Sequence, residues 1–342
     1  MSMFHVHSAV AWLDPEYKSS LYFKYSMKLS GMIAPVFMFL AGISIGLIAK
    51  RTASSPEATK TAKYRVFKRG LQLWLIGYGL HLVFYILSGH LNNWTRILKV
   101  DILHCIGLTM AVTPWLAWPK HRLNIPALLI FIGAPLLSML MYRLPITDHV
   151  PIGIAAYVTI PSKLSLFPII PYTAWIMLGL FIAPLFNHAL NSRNSERLFW
   201  IGLILGAIAM WCIGRWLKWG YYSLSLDRWG TDTPQVKGVL HFFWLKGAFV
   251  LGTFAIFRIA ALLFDRLKPT FFVCFGKESL FAYCLHLFVV YPILGSYFKK
   301  SLSVQEHMLA SFTLTCVMFL LVLIWTKYRK YIAVPAKLQR CN

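Results

Sequence analysis

The chain has 342 residues, of which 58% are hydrophobic and only 13% charged, and its mean hydropathy is +0.63. A soluble domain carries about 25% charged residues, so this composition excludes an ordinary water-soluble enzyme and favours an integral membrane protein. The net charge of +23 does not indicate a nucleic-acid partner, because the Lys and Arg residues lie between hydrophobic runs, where they set orientation and attract anionic lipid.

Nine apolar runs approach the length needed to cross a bilayer, about 20 residues. In chain order they are Gly31–Ala49, Gly70–Ser88, Ile102–Trp118, Ile125–Tyr142, Phe167–Phe186, Leu198–Leu217, Trp244–Phe264, Ser279–Phe298 and Met308–Trp325. The first segment, Met1–Leu13, is apolar but too short to span alone. The sequence predicts an all-α, polytopic transmembrane helix bundle with nine full spans, a partial N-terminal helix and a single membrane domain over residues 1–342.

The stretch from Lys50 to Arg69 is the most basic connection between two runs. It holds seven Lys and Arg residues against one acid, Glu57. Because short cytoplasmic connections are enriched in Lys and Arg, we expect this stretch to be a cytoplasmic loop. The expected location is a bacterial inner membrane.

Polar groups inside apolar runs are costly and therefore mark candidate functional sites. Asp101 and His104 are three residues apart and share one helical face at the outer end of a predicted span. A carboxylate beside an imidazole fixes its tautomer and raises its basicity. The alternative is that Asp101 caps the helix N-terminus and that His104 is merely interfacial.

A second polar group lies near the end of the chain. Ser279, Tyr283, His286 and Val290 are spaced four, three and four residues apart, so they form one helical stripe that holds a hydroxyl, a phenol and an imidazole. This arrangement is typical of a functional site. The alternative is that the histidine only forms a hydrogen bond to a neighbouring membrane helix.

The remaining histidines give weaker signals. His81 shares a helical face with Trp74, Tyr78 and Tyr85, whose rings more often pack than react. His5 and His7 are two residues apart and lie on different faces, which makes them a poor pair of metal ligands. The six cysteines form no C-x-x-C pair, so we expect no metal site.

Several short motifs follow one another in a recognisable order. They are Ser30–Ser44, Lys68–Leu71, Val100–Gly107, Phe167–Tyr172 and Gly276–His286. Each resembles a motif of the heparan-α-glucosaminide N-acetyltransferase-like family of membrane acyltransferases, and together they extend over most of the chain. The resemblance implies a polytopic membrane enzyme that uses acetyl-CoA as co-substrate.

The chain departs from the family pattern at two places. Members begin with a helix that bears D-x-x-R-G followed by M-x-x-x-H or M-x-x-x-N, and only the second half is present, ending at His5. The first helix therefore resembles a truncated version. Eukaryotic members also carry a catalytic histidine after Tyr-Phe-Lys, where this chain has Tyr25. If the resemblance is followed, His5, His104 or His286 must serve as the catalytic base in place of that histidine, or the activity is different or lost.

The resemblance implies transfer of an acetyl or other acyl group from cytoplasmic acyl-CoA to a glycan or lipid-linked acceptor on the outer side. The expected catalytic residues are His286, His5, Tyr283, Asp101 and His104, and the expected CoA-binding residues are Arg65, Lys68 and Arg69. The alternatives are a small-molecule or lipid transporter or flippase, and a non-catalytic membrane subunit. The expected partners are the lipid bilayer, acyl-CoA and the acceptor, with a homodimer left open.

Overall fold

The computed structural model describes residues 2–87, 93–119, 123–143, 150–158, 165, 167–223, 234–264 and 276–332. These residues form α-helices, two 3-10 turns and one π-helix, with no strand beyond two isolated bridges. The helices are α1 (Ser2–Trp12), α2 (Leu21–Thr52), α3 (Pro56–Leu87), α4 (Ile102–Leu116), α5 (Ile125–Arg143), α6 (Ile152–Val158), α7 (Ile169–Ala189), α8 (Arg193–Ser223), α9 (Pro234–Phe264), α10 (Ser279–Phe288), α11 (Gly295–Phe298) and α12 (Val304–Ile332). The π-helix Val289–Leu294 joins α10 to α11.

The all-α membrane architecture predicted from the sequence is confirmed, but the count of nine full spans is not. Within the described residues, seven helical segments are long and apolar enough to cross a membrane. The other two predicted spans coincide with α4 and α5, which are apolar but shorter. Helix α4 ends at Leu116 because Trp118 precedes Pro119, and a residue before proline is disfavoured in helical conformation. Ser88, the predicted end of the second span, lies outside the described residues.

The stretch from Lys50 to Arg69 is mostly helical, which corrects the prediction of a long loop. Helix α2 ends at Thr52 and α3 begins at Pro56, so only three residues connect them. Ser55 supports this early start because its Oγ accepts the Ala58 N–H at 3.2 Å, and proline suits the first helical position. Helix α3 has 32 residues and is about 48 Å long, longer than the hydrocarbon core of about 30 Å.

The helices form two compact units, Met1–Ile33 with Ile259–Asn342 and Ala34–Arg258. In the first unit α1 packs against α12 and against the π-helix. The core of this unit consists of buried apolar side chains, including Phe4, Trp12, Val290 and Met318. The prediction of one membrane domain over the whole chain stays a prediction.

The second unit brings helices together through small residues. Gly42 of α2 lies against the Ile176 carbonyl of α7, and Gly179 of α7 lies against the Phe39 carbonyl of α2. In α3 and α4, a Cβ atom on Gly107 would lie 2.7 Å from the carbonyl oxygen of Gly70. Small residues allow such close backbone approach between membrane helices, and the second of these crossings positions the histidines described below.

Replacing Trp12 with phenylalanine is expected to lower the stability of the first unit by about 1–3 kcal/mol, because it removes a buried hydrogen bond and part of a buried ring. The Trp12 indole Nε1–H donates to the Val290 carbonyl oxygen at 2.8 Å, and both residues are fully buried. The apparent melting temperature of the purified protein in detergent measures the loss. Trp216→Phe is the control, since the Trp216 side chain is exposed; equal melting of the two variants would contradict the assignment.

Candidate active site

Four histidines of the first unit lie close together, and we call them the histidine cluster: His5, His7, His286 and His307. Helix α1 contributes the first two, α10 the third and α12 the fourth. His286 and His307 are fully buried, whereas His5 and His7 are half-buried. The predicted base candidates His5 and His286 belong to different pairs, because the His5 ring contacts that of His307 and the His7 ring contacts that of His286. His7 and His307 are members that the sequence analysis did not select.

A directed chain of hydrogen bonds joins His5 to His307 through Tyr22. The Ser8 hydroxyl donates to the His5 carbonyl at 2.8 Å, so its oxygen accepts from Nε2–H of His307 at 2.9 Å. Nδ1 of a neutral His307 must then accept from the Tyr22 hydroxyl, at 2.7 Å. The Tyr22 oxygen also lies 2.9 Å from Nε2 of His5. Ser8 thus fixes the tautomer of a neutral His307.

The other ring nitrogen of His5 is also engaged. Its Nδ1 lies 3.1 Å from the Ser311 hydroxyl on α12, and the Ser26 hydroxyl lies 3.3 Å from Nε2. The predicted catalytic residue His5 is therefore held at both nitrogens by side chains of two helices, α2 and α12.

His286 is enclosed at the junction of α1 and α10. Its Nδ1 lies 3.2 Å from the Ala282 carbonyl oxygen, and its Nε2 lies 2.7 Å from Nδ1 of His7. The ring of Phe4 packs against the imidazole with the ring centres 4.5 Å apart. Both nitrogens of this predicted catalytic residue already have partners.

Tyr283 lies beside the His7–His286 pair, as its predicted role requires. The centre of its ring is 5.2 Å from that of His286 and 6.4 Å from that of His7. Tyr283 and His286 of the predicted stripe thus lie side by side on α10, and α1 supplies a second imidazole, that of His7. The expected separation of His5 and His7 onto different faces also holds, since the two residues enter different hydrogen-bond networks.

In the second unit, Asp101 plays both of the roles that the sequence left open. It caps α4, because its Oδ1 accepts the backbone N–H groups of Leu103 at 2.9 Å and His104 at 3.2 Å. The same oxygen lies 2.7 Å from Nδ1 of His104, and Oδ2 lies 3.3 Å from Nε2 of His81. His81, which the sequence ranked low, is therefore a third member of this site.

The two imidazoles control the charge state of the carboxylate. Burial raises the pKa of the Asp101 carboxyl, but the hydrogen bonds from His104 and His81 outweigh it and hold the pKa well below its usual range. Asp101 is therefore an anion at neutral pH, and its Oδ1 accepts a hydrogen bond from Nδ1–H of His104.

The ring of His104 fits against α3 only because residue 77 is glycine. A Cβ atom on Gly77 would lie 2.8–3.0 Å from three atoms of the ring. On the other side the ring of Tyr78 packs at 4.2 Å. Among the residues that the structure describes, Nε2 of His104 is buried without a hydrogen-bond partner.

The ligand atoms of His81, Asp101 and His104 lie within 4.8 Å of one another, a spacing that a metal ion can bridge. The chemistry of the set disfavours a metal. The separation of 2.7 Å between Oδ1 of Asp101 and Nδ1 of His104 is typical of a hydrogen bond to a charged group. A metal ion between these atoms would need a lone pair on each of them, and the hydrogen bond already uses them. The expectation of no metal stays a prediction.

An apolar pocket of about 520 Å³ lies beside this site, lined by aromatic residues including Trp74, Tyr78, Trp94 and Tyr157. The Tyr157 hydroxyl accepts the Trp74 indole N–H at 2.8 Å and lies 2.6 Å from the Tyr78 hydroxyl. Of these, Tyr78 links the pocket to His104 by ring contact.

The predicted CoA-binding residues Arg65, Lys68 and Arg69 all lie in α3 and are exposed. Their spacing of three and one places them on one helical face. Their role in holding CoA stays a prediction.

A family model for the catalytic domain of heparan-alpha-glucosaminide N-acetyltransferase matches residues 1–218. The matched region contains His5, His7 and the Asp101 site, whereas His286 and His307 follow it. Searches of curated proteins and of solved structures gave no significant match. The match covers more than half of the chain, and its N-acetyltransferase description agrees with an integral membrane protein that holds buried histidines. The chain belongs to the heparan-alpha-glucosaminide N-acetyltransferase family.

Proposed function

We propose that this protein transfers an acetyl group from cytoplasmic acetyl-CoA to a glycan or lipid-linked acceptor on the outer side of a bacterial inner membrane. The observation that carries the proposal is the histidine cluster, four imidazoles bonded into ordered networks among apolar helices of an acetyltransferase-family protein. Apolar helices of a membrane protein seldom bring so many ionisable groups together without a functional reason.

The chemistry of acetyl transfer suits an imidazole. The acceptor hydroxyl or amine must lose its proton while its oxygen or nitrogen attacks the thioester carbonyl carbon. The carbon–sulphur bond then breaks, and the CoA sulphur leaves as a thiol after taking up that proton. Imidazole can accept and return a proton near neutral pH, and apolar surroundings keep it neutral and ready to accept.

The other groups have supporting roles in this proposal. The Tyr283 hydroxyl, beside the cluster, donates to the oxyanion that forms on the carbonyl oxygen. The exposed cations Arg65, Lys68 and Arg69 hold the CoA phosphates, which agrees with a cytoplasmic location for the start of α3. Asp101 and His104 form the second polar site of the chain and orient the acceptor at the outer mouth.

The combined variant His5→Ala/His286→Ala is expected to lose about 10²–10⁴-fold in acetyl transfer, the usual contribution of a general base. The assay follows radiolabel from acetyl-CoA to glucosamine with purified protein in detergent. His188→Ala is the matched control, because His188 is an exposed histidine of α7 and should keep full activity. Full transfer by the double variant would show that neither His5 nor His286 supplies the base.

The same assay separates the enzyme from a transporter. An enzyme releases one CoA thiol for each acetyl group transferred, and a thiol reagent detects that release. A wild-type protein that binds or moves a solute but releases no CoA in the presence of amine and hydroxyl acceptors would favour the transporter.

A further inference from the structure

We infer that the apolar pocket beside the Asp101 site binds the acceptor, as an uncharged sugar ring that packs on aromatic side chains and accepts a hydrogen bond from a tyrosine. We call it the aromatic pocket, and its lining includes Trp74, Tyr78, Trp94 and Tyr157. The inference rests on the proposed acetyl transfer and deepens it, because it names the binding site of the acceptor and the part of the acceptor that binds there.

The lining of the aromatic pocket suits a neutral ring. Its volume, about 520 Å³, lies in the range of small-molecule sites, about 300–1,000 Å³. None of the described residues that line it is charged, so the phosphates of CoA would be buried there without a counter-charge, which is costly. A sugar ring presents C–H groups on its faces, and these pack against the partially negative faces of aromatic rings. The lining therefore favours a sugar over CoA.

A count of hydrogen-bond donors leaves one hydrogen of the pocket unused. The Trp74 indole and the hydroxyls of Tyr78 and Tyr157 provide three hydrogens. The Tyr157 oxygen accepts the indole hydrogen at 2.8 Å, and a single hydrogen joins the two tyrosine oxygens across 2.6 Å. Whichever tyrosine donates across that contact, the O–H hydrogen of the other is left over. No group in the described part of the chain accepts it.

The unused hydrogen distinguishes between two kinds of occupant. A hydroxyl or ring oxygen of a sugar can accept it, whereas a lipid acyl chain has no acceptor and would leave the O–H unsatisfied. All three members of the hydrogen-bonded set line the pocket. A few polar groups among apolar walls are the usual composition of a small-molecule site, and here they match an uncharged ring with oxygen at its edge.

The position of the aromatic pocket agrees with an acceptor that arrives from the outer side. Trp74 and Tyr78 lie in the second half of α3, whereas the expected CoA-binding residues lie in its first half. Trp94 belongs to the 3-10 turn that follows α3, and its side chain is 61% exposed. In the proposed orientation the start of α3 is cytoplasmic, so the pocket lies toward the outer membrane surface, where tryptophan is enriched.

The aromatic pocket is continuous with the Asp101 site. The His104 ring packs against that of Tyr78, with the ring centres 4.2 Å apart. Asp101 holds the same imidazole through Nδ1, at 2.7 Å. The buried carboxylate thus fixes an imidazole that supports one wall of the pocket, which gives the second polar site of the chain a place beside the acceptor.

Binding of N-acetylglucosamine in the absence of acetyl-CoA tests the inference without catalysis. This sugar is uncharged, and saturation-transfer difference NMR detects weak binding to the purified protein in a detergent that has no sugar headgroup. The wild-type protein is expected to transfer saturation to N-acetylglucosamine but not to N-acetylethanolamine, which has an amide and a hydroxyl but no ring. The inference is wrong if the sugar receives no saturation.

Two tryptophan variants locate the binding. Trp94→Ala removes one ring from the wall of the pocket and is expected to weaken binding of N-acetylglucosamine about 10-fold. Trp216→Ala is the matched control, since its side chain is exposed to 63% and does not line the pocket; it should bind as the wild type does. Unchanged binding by Trp94→Ala would overturn the inference.

Phenylalanine variants test the donor count. The triple variant Trp74→Phe/Tyr78→Phe/Tyr157→Phe keeps aromatic walls but removes all three hydrogens, and it is expected to weaken binding about 3–10-fold. Tyr78→Phe alone leaves the O–H of Tyr157 free to donate, so it should bind nearly as the wild type does. The apparent melting temperature shows whether each variant is folded. A folded triple variant that binds like the wild type would contradict the hydrogen bond.

The outcomes separate this inference from the proposed function. A wild-type protein that binds the sugar but transfers no acetyl group would contradict the function alone. In an active protein, Trp94→Ala is expected to raise KM for glucosamine about 10-fold and to leave KM for acetyl-CoA unchanged. An unchanged KM for glucosamine in that variant would contradict the inference alone.

Discussion

Replacing Gly42 with leucine is expected to disrupt the second unit and to cost more than about 3 kcal/mol, beyond the usual range for an overpacked site. Any Cβ at this position would overlap the Ile176 carbonyl and would lie 3.0 Å from Cα of Gly179. Both obstacles are backbone atoms, which cannot rotate away as a side chain can. Helices α2 and α7 would have to separate, and the loss would extend along their shared surface.

Measurement of folded yield and of apparent melting temperature in detergent tests this expectation. Gly31→Ala is the matched control, because Gly31 lies in the same helix with nothing within 4 Å of an added Cβ. This control should melt as the wild type does, or gain up to about 1 kcal/mol from better helix propensity. The packing argument fails if the Gly42 variant melts like the wild type.

The reciprocal contact makes the two glycines interdependent. An added Cβ on Gly179 would overlap the Phe39 carbonyl, so one separation of the helices would relieve both clashes. The Gly42→Ala/Gly179→Ala double variant should therefore lose less stability than the sum of the single losses.

Hydropathy located the helices well but not their ends. The run Leu198–Leu217 lies within α8, which begins five residues earlier at Arg193 and continues to Ser223. The same holds for α3, whose first turns contain the cations expected in a loop. A hydropathy pattern detects only the apolar part of a membrane helix. Polar residues with good helix propensity extend the helix beyond the bilayer into water.

The candidate sites show the same contrast between local and long-range information. Asp101 and His104 were predictable because three residues along one helix bring them together. His81 lies 20 residues before Asp101 on another helix, and the His7–His286 contact joins residues 279 apart. Single-sequence periodicity holds no information on which helices meet. His5 was selected through the family resemblance rather than through its spacing.

Replacing Asp101 with alanine is expected to cost about 3–5 kcal/mol, because one carboxylate provides a helix cap and two hydrogen bonds to imidazoles. The variant would leave the first N–H groups of α4 without an acceptor. It would also leave Nδ1–H of His104 without its acceptor, inside a ring that is fully buried. Asp101→Asn should lose less, about 1–2 kcal/mol, since asparagine caps equally well and keeps one oxygen for His104. Asp14→Ala, at an exposed cap without an imidazole partner, measures the capping contribution alone.

The pH dependence of melting distinguishes the carboxylate from its amide replacement. The pKa of the Asp101 carboxyl is lower in the folded protein than in the unfolded chain, where it is about 3.9. The unfolded state therefore binds the proton more readily, so the stabilisation is complete above the unfolded pKa and is lost as the pH falls. Between about pH 6 and pH 3 the wild-type melting temperature should fall more steeply than that of Asp101→Asn. Parallel curves would mean that the charge of this carboxylate contributes nothing to the site, and the cap alone would then account for its place at the start of α4.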